Sequence, residues 1–385
     1  MTNLKEKFLL DPNVVFLNHG SFGATPRPVF EAYHEWQRRL EWQPVQFLGT
    51  DLAQYLAEAR AALAAYVKAD PANLAYVPNA TFGVNVVARS LPLGPGDAVL
   101  TTDHEYGACD NAWRFLSQER GFEYVVRSVE MPASTPTAII DQLWQGVTPR
   151  TKVIFLSHIT SPTALCLPVA EICARARAAN ILTVVDGAHA LGQIPLDMAT
   201  LGADFYTSNG HKWLCSPKGS AFLYAHPQVQ HLLQPLVISW GWGPAKTFTF
   251  GSDFLDYLQW LGTDDVSAYL SVPAAIDFQA EHDWPTVRQV CHALVRQALD
   301  RINALTGLPP MYPHDAGFYH QMGIAALPHQ ADLPAFKNAL LQRHRIEIPC
   351  IQWRDRQFIR ISIQGYNGQS DVDALLHALK QELHL

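Results

Sequence analysis

The side chains best suited to chemistry follow three apolar runs. VIFL at 153–156 leads into Ser157, His158 and Ser161, LTVV at 182–185 into Asp186 and His189, and FYT at 205–207 into Ser208, His211 and Lys212. One polar exit from a strand is common, because loops are polar. Three of them predict a shared site, since ligands of doubly wound sheets bind outside the carboxyl ends of the strands. Lysine is rarely buried unless it is paired or used chemically, which singles out Lys212. Lys218 follows Ser-Pro and precedes Gly219, and reads as a solvated turn residue.

A fourth segment, AYVPNATFGVNVVARSL, reads as strand, turn and helix. Asn79, Ala80 and Thr81 fall at the helix start, where free N–H groups and the helix dipole favour an anion. Taken alone, the segment is read more simply as an N-cap. Nucleotide motifs are missing: the chain has no G-x-G-x-x-G and no G-x-x-x-x-G-K-[ST]. HGSFG, His19 to Gly23, has a histidine where a nucleophile elbow needs glycine. A lysine, an aspartate on a neighbouring strand and a phosphate site together meet the needs of pyridoxal phosphate. Its aldehyde forms a Schiff base with a lysine amine. Its ring nitrogen draws electrons when protonated, and a buried carboxylate beside it favours that form.

These groups need a scaffold. TKVIFLSH and ILTVVDGAH are short apolar runs, and PVAEICARARAAN between them has helical spacing with Pro168 at its start. Runs apolar on both faces, separated by helices, predict a mainly parallel sheet covered on both sides. From about Val266 the pattern changes to long helices, VSAYLSVPAAIDFQAEH and TVRQVCHALVRQALDRINAL. Short strands follow near GFYHQMGIAAL, IEIPCIQW and QFIRISI. The expectation is an α/β chain with a large cofactor-binding domain over 21–262 and a smaller α+β domain over 263–385. Residues 1–20 are expected to pack on the small domain.

With 385 residues and 48% apolar content, the chain can bury one large core and a second, smaller one. A net charge of −7 gives no basic footprint for nucleic acid. MTNLKEKFLL lacks the apolar region of a secretion signal, and no apolar run is long enough to span a bilayer. Six scattered cysteines without a C-x-x-C pair read as reduced thiols. A soluble cytoplasmic enzyme, with no metal and no nucleic-acid or membrane partner, is expected.

VVDGAHALGQIPLDMATLGADFYTSNGHKW resembles the signature of class-V aminotransferase-like enzymes, which share the fold type I architecture of pyridoxal-phosphate-dependent transferases. The resemblance runs from FLNHGSFGATP to QGYNGQSDVDAL and includes NAT and RISIQGYN. Within the class the chain is most similar to the isopenicillin N epimerase-like branch, which also contains amino-acid C–S lyases. The resemblance implies roles. Lys212 would carry the cofactor as a Schiff base and shuttle the Cα proton, while Asp186 would pair with the pyridinium nitrogen. His189 would lie near the ring hydroxyl, Ser161 would touch it, and Tyr106, in DHEYGACDNAW, would stack on the ring. Thr81, the amide of Ala80, His211 and Ser208 would hold the phosphate. Gly262 and Thr263, in QWLGTDD, match a loop that reaches the partner subunit's phosphate, which implies a homodimer with shared sites. Arg360, in FIRISI, would clamp the carboxylate of an amino-acid substrate, its planar fork matching it bidentately. Asn18 and His19 would sit close to that substrate.

Loss of the Cα proton opens three routes. Reprotonation on the opposite face epimerises, expulsion of a β-sulfur group makes a lyase, and reprotonation at the cofactor transaminates. All three need Lys212, Asp186 and Arg360. Epimerisation is the first expectation; C–S lysis, desulfuration and transamination are the alternatives. A desulfurase needs a mobile cysteine on a loop before the carboxylate-binding arginine. Cys350 precedes Arg360 but lies in IEIPCIQW, which reads as core strand. SWGWG at 239–243 is a faint match to kynureninase-like enzymes, and its Trp240 and Trp242 would line the entrance or pack at a dimer interface. A non-catalytic cofactor-binding protein on the same fold belongs to another class. The intact Lys212, Asp186 and Arg360 argue against it.

Overall fold

The computed structural model describes residues 4–313 and 317–385. Residues 1–3 of the expected N-terminal segment and 314–316 of the expected small domain lie outside them. The strands in chain order are β1 (Val15–Phe16), β2 (Leu74–Val77), β3 (Ala98–Thr102), β4 (Glu123–Arg127), β5 (Thr151–Ser157) and β6 (Leu182–Asp186). They continue with β7 (Phe205–Asn209), β8 (Ala221–Ala225), β9 (Met322–Leu327), β10 (Ile346–Glu347), β11 (Cys350–Trp353) and β12 (Arg356–Ser362).

Seven strands form the main sheet in the order β2-β8-β7-β6-β5-β3-β4. Neighbours are parallel except at β8, which runs against both β2 and β7. Successive side chains of a strand point to opposite faces. Leu74, Tyr76, Leu100, Ile154 and Leu156 therefore join one hydrophobic layer, and Ala75, Val77, Val99, Val153 and Phe155 the other. Parallel strands need crossovers. Helices Ala80–Ser90, Gly107–Arg120 and Val169–Ala178 lie on these connections. The mainly parallel α/β sheet expected from the sequence is the one observed.

A second, antiparallel sheet has the order β11-β12-β9. IEIPCIQW is not one strand: it divides into β10 and β11 at Ile348 and Pro349, where proline has no N–H for a ladder. β1 pairs in parallel with β10, and the amide of Ser362 donates to Leu17 at 3.0 Å. The first strand of the chain is thus tied to its last third. The helix Val272–Glu281, beyond Gly262, packs against Leu52–Val67, with the Tyr66 hydroxyl donating to Gln279 at 2.5 Å. No helix among the described residues is long and apolar enough to cross a membrane.

The topology sets the site. β5, β6 and β7 are adjacent, with Ser157 in register with Asp186 and Asp186 with Thr207. β2 and β3 also point their carboxyl ends at this edge. One leads into the helix Ala80–Ser90 and the other into Tyr106 and the helix Gly107–Arg120.

Candidate active site at the carboxyl ends of the strands

Five strand ends and one N-terminal turn enclose a cavity of about 270 Å³. Asn79, Ala80 and Thr81 follow β2, Tyr106 follows β3, and Ser157, Ile159 and Ser161 close β5. Asp186, Ala188 and His189 close β6, Asn209, His211 and Lys212 close β7, and Ser21 and Phe22 complete the wall.

Lys212 lies in the wall with its amine 3.2 Å from His189 Nε2. The indole N–H of Trp213 donates to His189 Nδ1 at 3.3 Å. An imidazole nitrogen that accepts leaves the other to carry the hydrogen. His189 Nε2–H therefore faces the amine nitrogen, which can accept it once Lys212 has lost its proton. Burial brings Lys212 down to about 8, with Asp186 opposing the fall and Arg360 adding to it. Burial and then the Lys212 charge hold His189 well below its usual value, so the ring is neutral. Behind the wall, His19 bonds the Lys212 carbonyl at 2.9 Å and the Tyr366 hydroxyl at 2.9 Å. Burial pushes His19 down to about 3. The N-terminal turn sits hard against this segment: at Gly23, with φ +66°, a Cβ would fall 1.9 Å from the His211 carbonyl oxygen.

Asp186 is buried at the cavity base. The Ala188 amide donates to its Oδ1 at 2.9 Å, and the Cys109 thiol lies 3.5 Å from its Oδ2. Burial raises its affinity for a proton; the Ala188 amide and the Lys212 charge pull the other way. An opposite charge brought against Oδ2 would complete its pairing. At the far end, the helix Ala80–Ser90 opens into the cavity with Asn79 as its cap. The Asn79 side chain accepts from Phe82 N at 2.8 Å, and the Ala80 amide donates to the Asn209 side chain at 2.8 Å. His211 Nδ1 is buried without a hydrogen-bond partner. An amine of lowered proton affinity, a buried carboxylate, a helix N-terminus and an unpartnered imidazole nitrogen fit the aldehyde, ring nitrogen and phosphate of pyridoxal phosphate.

Arg360, on β12, reaches the cavity wall from the second sheet. Its Nη1 donates to the carbonyl of Ser161 and, at 3.2 Å, to the Ser161 hydroxyl; its Nη2 donates to Ser21 at 3.2 Å. Its Nε is buried without a partner. Burial lowers it to about 10, which leaves it a cation at neutral pH. Ser21 passes the contact on to Asn18 Oδ1 at 2.6 Å, and Asn18 donates to Glu347 at 2.9 Å.

Ala80, Thr81, Tyr106, Ser161, Asp186, His189, His211 and Lys212 thus share one cavity, with Arg360 directly behind two of its wall residues. Other expected residues are elsewhere. Ser208 is turned away, its hydroxyl donating to the Gly187 carbonyl, while the next residue, Asn209, faces in. Strand alternation is the reason. Asn18 and His19 lie behind the wall, engaged by Glu347, Ser21, Tyr366 and the Lys212 carbonyl. Gly262 and Thr263 are absent from this cavity's wall, and Thr263 is exposed. His158 turns to the Tyr206 hydroxyl at 2.9 Å. Lys218 is exposed, its amine on the Gly23 carbonyl at 3.3 Å. Sequence reasoning missed Ser21, Phe22 and Asn209 in the wall and Glu105 behind it. Asn209, the last residue of its strand before a glycine, was the readable one.

The family described as aminotransferase class-V matches residues 15–375. The chain belongs to the class-V aminotransferase family. It is 36% identical to the isopenicillin N epimerase of Amycolatopsis lactamdurans, over 98% of this chain and 98% of that one. It is 28% identical to putative L-cysteine desulfhydrase 1 of Oryza sativa subsp. japonica, over 96% of this chain and 83% of the relative. Among solved structures, the cysteine desulfurase CsdA of Escherichia coli matches with a TM-score of 0.82 at 24% identity, over 99% of this chain and 98% of that one. That likeness is one of fold. Within the class-V family, the cavity described above is built from the ends of the parallel strands.

Proposed function

We propose that this class-V enzyme binds pyridoxal phosphate at Lys212 and acts at the Cα of an amino acid as an epimerase. The observation that carries the reading is the Lys212 amine, within hydrogen-bond distance of His189 in the same cavity as buried Asp186. Bound there through its aldehyde, the cofactor supplies an electron sink for the pair left at Cα when its proton departs.

The chain's own residues do the rest. Asp186 would keep a proton on the ring nitrogen, because a buried carboxylate favours a charged neighbour. The helix N-terminus, Thr81 and His211 would hold the phosphate, and Tyr106 would contact the ring. Arg360 would orient the substrate through its carboxylate, and Lys212, whose proton affinity burial brings down to about 8, would take the Cα proton from its own face; epimerisation requires that a proton return on the opposite face.

Epimerisation is favoured by the 36% identity to an epimerase over nearly the whole chain. C–S lysis is the second reading, favoured by the similarity to the rice desulfhydrase. Desulfuration is disfavoured because Cys350 lies in β11, paired with Ile359, and burial pushes its thiol up to about 12. A homodimer is supported by the exposure of Thr263 and of Phe22, Trp240 and Trp242, which are 74%, 58% and 50% exposed. A cytoplasmic location is supported by the six cysteines, all free.

The test follows L- and D-amino acids and cysteine derivatives in heavy water, reading deuterium at Cα, chirality, sulfide and keto acid together. Deuterium entry with loss of chirality and neither by-product supports the epimerase. Sulfide release makes the enzyme a lyase, and keto acid an aminotransferase.

A further inference from the structure

A second cavity, of about 530 Å³, shares no wall residue with the one around Lys212. Small-molecule sites run from roughly 300 to 1,000 Å³. Part of its wall is one face of the helix Trp284–Thr306. Arg288 and His292 stand four residues apart on that helix, so they are neighbours on the same face. His320 and Gln321, which precede β9, and Gln193, which follows β6, also line the cavity. Both glutamines are buried and held. The Gln193 side-chain amide donates to the His189 carbonyl at 2.6 Å, and its oxygen accepts from the Gln321 backbone amide at 3.1 Å. This cavity is therefore tied to the loop that carries His189.

Its charge has one sign. The His292 and His320 rings are 6.4 Å apart, and His292 Nδ1 donates to the His320 carbonyl at 3.1 Å, which directs Nε2 to other partners. Among the described residues no aspartate or glutamate lines the cavity. Nor does any form an ion pair with Arg288, His292 or His320. Burial, and then His292 and Arg288, bring His320 down to about 4. Three basic groups thus crowd one cavity, a field that a bound anion relieves. Ile194, Pro195 and Pro285 add an apolar surface beside them.

We propose that this cavity is a second binding site, for a small organic acid. Arg288 takes the carboxylate, which its planar fork matches at two points. His292 and His320 flank that group, and Ile194, Pro195 and Pro285 receive the apolar body of the acid. The site does not depend on the pyridoxal-phosphate reading and stands whichever reaction the enzyme performs.

The test uses benzoate, a carboxylate on an apolar ring, with benzamide as its uncharged counterpart. Equilibrium dialysis is run on the full chain carrying R360A, which removes the carboxylate clamp of the Lys212 cavity, with and without added pyridoxal phosphate. Benzoate should bind saturably in both conditions and benzamide should not. Adding R288Q should weaken benzoate binding by about tenfold or more, the loss of a charge-assisted pair. No saturable benzoate binding, equal binding of benzamide, or affinity unchanged by R288Q would each overturn the proposal. A second measurement needs no change at Arg288. In the R360A chain labelled with nitrogen-15 histidine, the ring signals of His292 and His320, assigned with H292Q and H320Q, should move as benzoate is added. Signals that stay fixed at saturation would put the acid elsewhere and refute the site.

Discussion

The Lys212 amine lies 3.2 Å from Nε2 of His189, whose Nδ1 accepts the Trp213 indole hydrogen at 3.3 Å. That chain of donors suits the amine once it has lost its proton, and burial brings that loss down to about 8. Cofactor uptake by the cofactor-free protein should therefore accelerate as pH rises and level off above about 8. Trp213→Phe frees Nδ1 to take the hydrogen and should displace this limb to another pH. Stopped-flow absorbance measures it; an uptake rate flat from pH 6 to 9 would mean that the amine does not titrate near 8.

The same shift has a stability consequence. Folded Lys212 gives up its proton at about 8, against the ordinary 10.5. Below about 8 both states are protonated and the burial cost is complete. Between 8 and 10.5 the unfolded chain binds more protons, so stability rises with pH. The span is at most roughly 3 kcal/mol. Urea titrations of the cofactor-free parent and Lys212→Met should differ by an amount that drifts in the parent's favour across that window. A constant difference would mean that the amine is not depressed.

Asp186→Asn keeps the shape and removes the charge. One charge-assisted hydrogen bond is worth about 1.5–3 kcal/mol, so Cα proton exchange should fall roughly ten- to a hundredfold or more. Exchange at the parental rate would remove Asp186 from the chemistry.

Arg360→Ala should weaken amino-acid binding by about 2–5 kcal/mol and leave amines without a carboxylate almost unaffected. Arg360→Lys should recover only part of the loss, since a lysine cannot make the two-point contact. Spectral titration with matched ligands reads both, and equal losses for the two ligand classes would make Arg360 structural.

The strand ends and the Asp186–Lys212 signature were readable because each lies in one continuous stretch of chain. Orientation was not. Ser208 and Asn209 are both polar and adjacent, and only the phase of β7 decides that Asn209 faces the cavity. His19 was expected at the substrate, yet it packs behind the Lys212 carbonyl, a contact between residues far apart in sequence. Glu105 carries no local signal, because the Thr102 and Ser157 hydroxyls reach it only where β3 and β5 lie side by side. Local pattern gives the elements; the neighbours that bury a side chain come from the topology.

If the loop at Gly262 and Thr263 serves a second copy, inactive Lys212→Ala and weakened Thr263→Ala chains should complement each other. Each hybrid dimer would contain one site with both intact groups. After subunit exchange, with hybrids confirmed by mass, Cα exchange should exceed that of either parent. Confirmed hybrids without gain would confine the site to one chain.

The central claim is that Lys212 is the residue that carries the cofactor. Borohydride reduction of the yellow holoenzyme, followed by peptide mapping, tests it most directly. The account predicts a single reduced pyridoxyl adduct on Lys212, absent from Lys212→Ala. An adduct on Lys218 or Lys246, or a protein that the cofactor never colours, would contradict it.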